Sequence, residues 1–377
     1  MNILVIVDKF FPVSETFIYN HIMSLKDHNV CIVGRKNENL DRFPLPLHYK
    51  VTTLYDELKF RLAHKIWNAE YHFNPYLKNR LREIARKHKT DLILSHYGPI
   101  AIKVANAFKK SGIKHIACFH GFDLSRKLSE KRYVKHLLSS NEYIDASFVP
   151  SEFLKSKLTE IGFSDKTIFK IPYGIDLTKI NDSDKIQFAD SKVRILHVGR
   201  LIPKKGVLDL IDMVDELSIK NSIEFIIIGD GSEMQLVKEK ITRKKLDAVI
   251  RLLGEQPHEV VFLYMKSCDI YVLNSRIDSN DETEGFPNTI LEAMASGCAV
   301  ISTLHAGIPE AIEHEKDGIL VNENDVDQLK KELIQLIENK SKREKLAKNA
   351  EKKGQEKFGV EKMQELIQNA VNQIMDR

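Results

Sequence analysis

Short apolar runs recur along the chain, and longer segments with helical spacing separate them. The runs are apolar throughout instead of alternating with polar residues, which is typical of parallel strands that are buried on both faces. Strand–helix alternation in both halves predicts an α/β protein built from two doubly wound domains. The predicted strands are 2–7, 29–33, 91–95, 114–119 and 145–149 in the first half, and 193–198, 223–228, 249–253, 269–273, 298–302 and 318–321 in the second.

A polar stretch over 176–192 separates the two halves, and 377 residues suit two domains better than one. We predict a first domain over 1–178, a second over 191–355, and a helix over 356–377. No apolar run approaches the ~18 residues that a membrane-spanning helix needs, and the start of the chain lacks the basic head of a signal peptide. These features, with four widely spaced cysteines, favour a cytoplasmic location.

Charge is distributed unevenly along the chain. Residues 1–180 contain 29 Lys and Arg against 18 Asp and Glu, whereas the remainder contains 28 against 35. The basic half is therefore the better candidate for an anionic partner such as a membrane surface, a phosphorylated acceptor or nucleic acid. Within it, residues 55–90 form a helical pattern rich in Lys, Arg and aromatics, which suits either a solvated face or a membrane-surface patch.

The segment 284–297 has the pattern of a loop followed by a short helix, directly after a predicted strand. Pro287 suits the first helical turn, and Gly297 suits the cap at the helix end. The N-terminus of such a helix offers N–H groups to a phosphate or a sugar hydroxyl. Glu284 and Glu292 add carboxylates, which accept hydrogen bonds from the vicinal hydroxyls of a pyranose and a ribose. The alternative is an exposed loop glutamate and an unrelated helical one.

The loop after the strand 193–198 carries two cations at the carboxyl end of that strand, where they can bind a diphosphate. Arg200 and Lys205 are the candidates. Lys204 is a rival for Lys205, although the following Gly206 favours Lys205. An ordinary charged loop is the alternative.

Polar residues also end strands of the first half. His120 and Asp123 follow the strand 114–119, where a lone histidine is usually structural, and His96 ends the strand 91–95. Ser14, Glu15 and Thr16 follow the first strand, where they either contribute to a ligand site or cap the next helix.

Taken together, these motifs resemble glycosyltransferase family 4, a group of retaining enzymes with the GT-B fold. Glu284 and Glu292 match the E-x7-E signature, Gly199-Arg200 and Lys205-Gly206 match its paired cations, and His120-Gly121-x-Asp123 matches its first-domain histidine motif. The likeness is strong over 193–325 and patchy over 1–175. Ser14-Glu15-Thr16 replaces the Gly-rich loop of many members, which resembles the branch of colanic acid and amylovoran glycosyltransferases.

The resemblance implies two Rossmann-like domains facing across a cleft, an acceptor-binding first domain, a nucleotide-sugar-binding second domain, and a C-terminal helix that packs back on the first. It implies transfer of a hexose or related sugar, with retained configuration, from a nucleotide-diphosphate sugar to a hydroxyl of a glycan or polyisoprenoid-diphosphate-linked acceptor. Such reactions serve bacterial capsule, exopolysaccharide or O-antigen synthesis. The basic half would then seat the enzyme on the anionic inner face of the cell membrane, and nucleic acid is not expected as a partner.

By the same resemblance, Glu284 contacts the donor sugar, Glu292 contacts the ribose, and Arg200 and Lys205 neutralise the leaving diphosphate. Asp123 positions His120 or the acceptor, and His120 holds the sugar or organises the reaction centre. The implied catalytic residues are His120, Arg200, Lys205 and Glu284. The implied donor site is Gly199, Arg200, Lys205, Glu284, Gly285, Phe286, Pro287, Asn288, Thr289 and Glu292, with backbone amides contributed by 285–288. The implied acceptor site is Ser14, Glu15, Thr16, His96 and Asp123.

We expect no essential metal and no cofactor besides the nucleotide sugar. Asp182-x-Asp184 and Asp325-x-Asp327 do not end strands, and no group of zinc ligands is apparent in the sequence. Gly229-Asp230-Gly231 lacks the third glycine of a dinucleotide fingerprint and predicts a tight turn. Two other function classes stay open: an epimerase or phosphorylase with the same fold, and a non-catalytic protein that binds sugar nucleotides.

Overall fold

A computed structural model of the chain describes residues 1–8, 16–34, 43–45, 50–53, 71–279 and 281–376. The chain forms two compact units, Met1–Gly174 with Val360–Arg377, and Ile175–Gly359. It therefore leaves the first unit after Gly174 and returns to it at Val360.

The first unit is built on a seven-stranded parallel sheet. Its strands are β1 (Asn2–Ile6), β2 (Asn29–Gly34), β3 (Lys50–Thr53), β4 (Leu92–His96), β5 (Lys114–Cys118), β6 (Ala146–Val149) and β7 (Ile168–Lys170). They lie in the order β3-β2-β1-β4-β5-β6-β7, so the order reverses between β1 and β4. Five of these strands match the predicted runs to within one residue. The other two, β3 and β7, are the short edge strands of the sheet, where less apolar surface is buried and the sequence signal is weak.

The second unit is built on a six-stranded parallel sheet, and all six strands match predicted runs to within one residue. They are β8 (Val193–Val198), β9 (Ile223–Ile228), β10 (Ile250–Gly254), β11 (Ile270–Leu273), β12 (Ala299–Thr303) and β13 (Ile319–Val321). The order is β10-β9-β8-β11-β12-β13, which reverses between β8 and β11. Ligands of such sheets bind outside the carboxyl ends of the strands at this reversal.

Helices cover the sheets of both units. In chain order they are α1 (Thr16–Met23), α2 (Pro75–His88), α3 (Gly98–Phe108), α4 (Lys131–Ser140), α5 (Glu152–Glu160), α6 (Leu177–Asn181), α7 (Val207–Asp215), α8 (Met234–Arg243), α9 (His258–Ser267), α10 (Asn288–Ala295), α11 (Ile308–Ala311), α12 (Val326–Glu338), α13 (Lys340–Lys357) and α14 (Val360–Met375). The last helix, α14, buries Met363, Ile367, Val371 and Ile374 in the core of the first unit, at the spacing of one helix face.

Glycine permits a close approach of two loops in the second unit. Gly229 has a φ of +143°, and a Cβ added there would lie 1.8 Å from the Gly199 carbonyl oxygen. The loops are also joined by a hydrogen bond, in which the Leu201 N–H donates to the Asp230 carbonyl at 2.9 Å. The Gly229-Asp230-Gly231 segment thus supports the loop that carries Arg200.

The basic helical region predicted over 55–90 is described only in part. Residues 54–70 lie outside the described residues, and α2 follows them. In α2, Leu81 and Ala85 are buried, whereas Arg80, Arg82 and Arg86 are exposed. No helix in the described ranges combines the length and apolar character needed to cross a bilayer.

Candidate active site

Two buried lysines and two glutamates meet where the strand order of the second sheet reverses. Lys204 and Lys205 lie in a single 3-10 turn after β8, and Glu282 and Glu284 lie in the loop after the neighbouring strand β11. The Nζ atom of Lys205 is 3.1 Å from Oε1 of Glu284. Lys204 Nζ lies 2.8 Å from Oε1 of Glu282 and 3.6 Å from Oε1 of Glu284, and it donates to the Thr283 carbonyl at 3.1 Å.

Lys204 and Lys205 keep the Glu284 carboxyl ionised. Burial alone would raise the pKa of this carboxyl, but the nearby Lys205 and Lys204 outweigh that effect and lower the pKa to about 2. Burial lowers the pKa of Lys205, and the attraction of Glu284 offsets this in part. Of the cations considered from the sequence, both Lys204 and Lys205 are buried beside Glu284, whereas Arg200 is exposed in the same loop.

Several buried polar atoms around this cluster have no hydrogen-bond partner among the described residues. They are Nε2 of His197, Oγ1 of Thr283 and Oδ1 of Asn288. Buried polar atoms in proteins are nearly always hydrogen-bonded, so such a group is unusual. These atoms are available to a polar ligand at the edge of the sheet.

Glu292 lies in α10 and is only 5% exposed. Its Oε1 atom accepts a hydrogen bond from Nε2 of His258, the first residue of α9, at 3.0 Å. Burial lowers the pKa of His258, but the charge and hydrogen bond of Glu292 more than offset this, so the pKa is raised overall. The sequence analysis did not identify His258, although its position shortly after the carboxyl end of β10 could have indicated a site residue.

The remaining residues of the predicted donor loop differ in how far their side chains are buried. Pro287 precedes α10 instead of lying in its first turn, which corrects the prediction, because the first helical residue is Asn288. The Phe286 side chain is buried with its ring 6.1 Å from that of Phe358, so only its backbone is available to a ligand. Gly285 is buried, Asn288 is half-buried, and Thr289 accepts a hydrogen bond from the Tyr271 hydroxyl at 2.7 Å. Gly199 is half-buried beside Arg200.

In the first unit, His120 follows β5 and uses both ring nitrogens. Its Nε2 is 3.0 Å from Nδ1 of His96, and its Nδ1 is 3.0 Å from the Tyr173 hydroxyl. The His96 and His120 rings are nearly parallel with centroids 5.2 Å apart, and the Phe17 ring lies 4.7 Å from His120. The sequence analysis did not identify Tyr173 or Phe17 as parts of this site.

Asp123 and His96 are both completely buried. The Asp123 carboxylate accepts hydrogen bonds from the backbone N–H groups of His120 (2.9 Å), Gly121 (3.0 Å) and Gly98 (3.0 Å). Asp123 therefore positions the His120 loop, and its expected contact with the acceptor stays a prediction. His96, also expected at the acceptor, contacts His120 instead. Of the other expected acceptor residues, Thr16 begins α1 and is half-buried, whereas Ser14 and Glu15 lie outside the described residues.

Burial keeps the histidines of this cluster neutral. It lowers the pKa of His120 and of His96 well below the usual range, and it lowers the pKa of the neighbouring His21 to about 4. His21, His96 and Cys118 place their ligand atoms within 4.8 Å of one another, the arrangement closest to a metal site among the described residues. Burial raises the pKa of the Cys118 thiol well above its usual range.

Two family models match the chain. The model described as "Glycosyltransferase Family 4" matches residues 21–179, and "Glycosyl transferases group 1" matches residues 178–353. The amylovoran biosynthesis glycosyltransferase AmsK of Erwinia amylovora is 30% identical, with 86% of this chain and 88% of AmsK covered. The putative colanic acid biosynthesis glycosyltransferase WcaL of Salmonella typhimurium is 27% identical, with 85% and 86% covered.

Solved structures share the fold over the full length. Anabaena Alr3699/HepE in complex with UDP has a TM-score of 0.80 at 21% identity, with 99% of this chain and 100% of that chain covered. The lipopolysaccharide outer core galactosyltransferase WaaB has a TM-score of 0.74 at 20% identity, with 99% of both chains covered. The chain therefore belongs to glycosyltransferase family 4 and is a glycosyltransferase of the GT-B fold, related to enzymes of exopolysaccharide biosynthesis.

Proposed function

We propose that this enzyme transfers a hexose or related sugar, with retained anomeric configuration, from a nucleotide-diphosphate sugar to a hydroxyl of a glycan or polyisoprenoid-diphosphate-linked acceptor. The observation that carries the proposal is the buried contact of Lys204 and Lys205 with Glu284 at the strand-order reversal of the second sheet. The colanic acid and amylovoran relatives support a role in bacterial exopolysaccharide, capsule or O-antigen synthesis, and the neighbours solved with UDP support a nucleotide-sugar donor.

Cations near the leaving group are the main catalytic contribution that we assign to the second unit. Breaking the bond between sugar and diphosphate leaves negative charge on the diphosphate, and fixed positive charge stabilises that change. Lys205 is held in place by Glu284, and Arg200 is exposed in the same loop. We assign both to the diphosphate. Because these cations neutralise the leaving group, the proposed reaction needs no metal ion.

The two glutamates receive separate roles in binding the donor. Glu284 stays ionised beside Lys205, so we assign its carboxylate to the hydroxyls of the donor sugar. His258 occupies Oε1 of Glu292, so we assign Oε2 of Glu292 to the ribose hydroxyls. Backbone N–H groups of 285–288 would complete the donor site.

His120 acts in this proposal as a neutral hydrogen-bonding group. Its pKa lies well below the usual range because of burial and the nearby His96 and His21, so it does not supply a positive charge. We assign it to organising the reaction centre, since both of its ring nitrogens already have partners in the first unit. Retention in a glycosidase would need a carboxylate nucleophile near the reacting carbon. We assign no residue to that role. We propose instead that the acceptor hydroxyl attacks from the face on which the phosphate departs, and that this phosphate takes the hydroxyl proton.

A donor panel tests the proposed reaction. The enzyme would be incubated with mass-tagged UDP-, GDP- and ADP-sugars and with polyisoprenoid-linked glycan acceptors, and products would be identified by mass spectrometry. We expect a glycosylated acceptor from one donor, and the Lys205→Met variant should lose most of that product. Lys240→Met is the matched control, since Lys240 is a half-buried lysine of the same unit that pairs with Asp212. Release of a nucleoside diphosphate without a glycosylated product would contradict the proposal, and an isomerised donor would favour an epimerase.

We further propose that the enzyme works in the cytoplasm at the inner face of the cell membrane. The exposed basic side chains of α2 support this, because each Lys or Arg near an anionic surface contributes about 1 kcal/mol of attraction. Binding to vesicles with phosphatidylserine or phosphatidylglycerol should exceed binding to neutral vesicles and should fall with salt. Equal binding to neutral vesicles would contradict this location.

A further inference from the structure

His305 is a buried residue that connects three loops at the carboxyl edge of the second sheet. It follows β12 and is 1% exposed. Its Nε2 atom accepts a hydrogen bond from the backbone N–H of Glu284 at 3.0 Å, in the loop after β11. Its Nδ1 atom lies 2.8 Å from Oε1 of Glu323, in the loop after β13. One imidazole therefore bridges the loops of three adjacent strands.

The partners determine which ring nitrogen carries the proton. A backbone N–H can only donate, so Nε2 of His305 must be the unprotonated nitrogen. Nδ1 then carries the hydrogen and donates it to the Glu323 carboxylate. Glu323 is fixed in turn, because its Oε2 atom accepts the backbone N–H of Ile277 at 3.0 Å. The chain of contacts runs from Glu323 through His305 to the backbone of Glu284.

We propose that His305 is a positioning residue, oriented by Glu323, that fixes the Glu284 backbone so that the carboxylate can contact the donor sugar. This inference rests on the proposed function, since it assigns a support to the residue that would contact that sugar. The side chain of Glu284 is held by Lys205 and its backbone by His305, so both ends of the residue are fixed before a donor binds. His305 itself touches neither diphosphate nor sugar in this proposal.

Two substitutions separate the two hydrogen bonds of His305. The amide of a glutamine can place its oxygen near the position of Nε2, so His305→Gln can still accept the Glu284 N–H. The amide of an asparagine lies near the position of Nδ1, so His305→Asn can still donate to Glu323 but leaves the Glu284 N–H without an acceptor. Glu323→Gln keeps the volume and removes one of the two acceptor oxygens, so either Nδ1 of His305 or the Ile277 N–H, which lies in the same loop as Glu284, loses its acceptor.

The measurement compares a nucleotide with its own sugar conjugate. Dissociation constants would be measured by calorimetry for UDP, GDP and ADP, and for UDP-glucose, GDP-mannose and ADP-glucose, with wild type and the three variants. Misplacing a binding group through its supporting residue costs about 10- to 100-fold. We expect His305→Asn to weaken sugar-nucleotide binding about tenfold or more and to leave nucleoside-diphosphate binding within about twofold. His305→Gln should stay close to wild type, and Glu323→Gln should lie between the two.

The outcomes distinguish this inference from the proposed function. Equal behaviour of His305→Gln and His305→Asn, or equal loss of affinity for the nucleotide and its sugar conjugate, would overturn the role of His305. Retention of sugar-nucleotide binding by His305→Asn with loss by His305→Gln would also overturn it, because the bond to Glu323, and not the bond to the Glu284 N–H, would then carry the effect. If wild type binds none of the six compounds, the proposed function fails and the inference fails with it. Thermal melting of each variant identifies any that does not fold.

Discussion

Replacing Glu284 with glutamine removes the negative charge that Lys204 and Lys205 share. The pKa of this carboxyl falls from an ordinary 4.5 to about 2 in the folded protein. That difference corresponds to about 3 kcal/mol of folding stability at neutral pH. Loss of one partner of a buried ion pair costs about 3–5 kcal/mol of folding stability. In the variant Glu282 still pairs with Lys204, so we expect a cost of about 3 kcal/mol. For a unit of this size we expect the Tm to fall by about 6–12 °C.

The sign of the pH dependence follows from the direction of the pKa change. The folded state holds Glu284 in its ionised form, so the stabilisation is complete above pH 4.5 and is lost as the pH falls towards 2. Thermal unfolding of wild type and Glu284→Gln would be followed by calorimetry between pH 7 and pH 3. The gap between their Tm values should be largest at pH 7 and should shrink below pH 4.5.

Glu344→Gln is the control for this measurement. Glu344 lies 3.7 Å from Lys340 and both side chains are exposed, so its loss should change the free energy of unfolding by less than about 0.5 kcal/mol. A Glu284→Gln variant as stable as wild type at pH 7 would refute the reasoning. A difference in Tm that stays constant from pH 7 to pH 3 would show that the loss of stability does not come from the charge of Glu284.

Four further predictions concern steady-state kinetics. His258→Gln should raise the KM for the donor about tenfold with little change in kcat, as expected for loss of a residue that orients a ligand-binding carboxylate. The pKa of His258 is raised, so its ion pair with Glu292 is complete below pH 6.5 and is lost as the pH rises through the raised value. Over that range the KM of the wild type for the donor should increase, whereas the KM of the variant should not change. Tyr173→Phe removes one of the two partners of His120 and should lower kcat about tenfold, whereas an unchanged kcat would show that His96 alone positions the ring. Excess EDTA should leave the initial rate unchanged, and a loss restored by Mg²⁺ or Mn²⁺ would contradict metal independence.

The fold was predictable because the central parallel strands are mainly apolar runs separated by helical patterns. Edge strands such as β7 (Ile-Phe-Lys) were not, because three residues with one lysine carry no periodic signal. Helix bounds in the donor loop were less certain, since Pro287 suits both the residue before a helix and its first turn.

Site residues in contiguous motifs could be located, but those that act through tertiary contacts could not. Glu284 and Lys205 stand in recognisable segments, and the structure brings them together. Tyr173 reaches His120 from 53 residues away, and His305 acts on a backbone N–H that no side-chain pattern reveals. The sequence also did not reveal that His96 and Asp123 are completely buried and contact the His120 segment.

The return of α14 to the first unit sets an order for folding during synthesis. The second unit is a continuous segment, Ile175–Gly359, whereas the first needs residues from both ends of the chain. A ribosome therefore synthesises every residue of the second unit before it makes Val371 and Ile374, which fill the core of the first. Domains commonly fold in the order in which they are made, but here the core of the amino-terminal unit is completed last. A nascent chain halted after Gly174 would leave exposed the apolar surface that α14 covers in the folded protein.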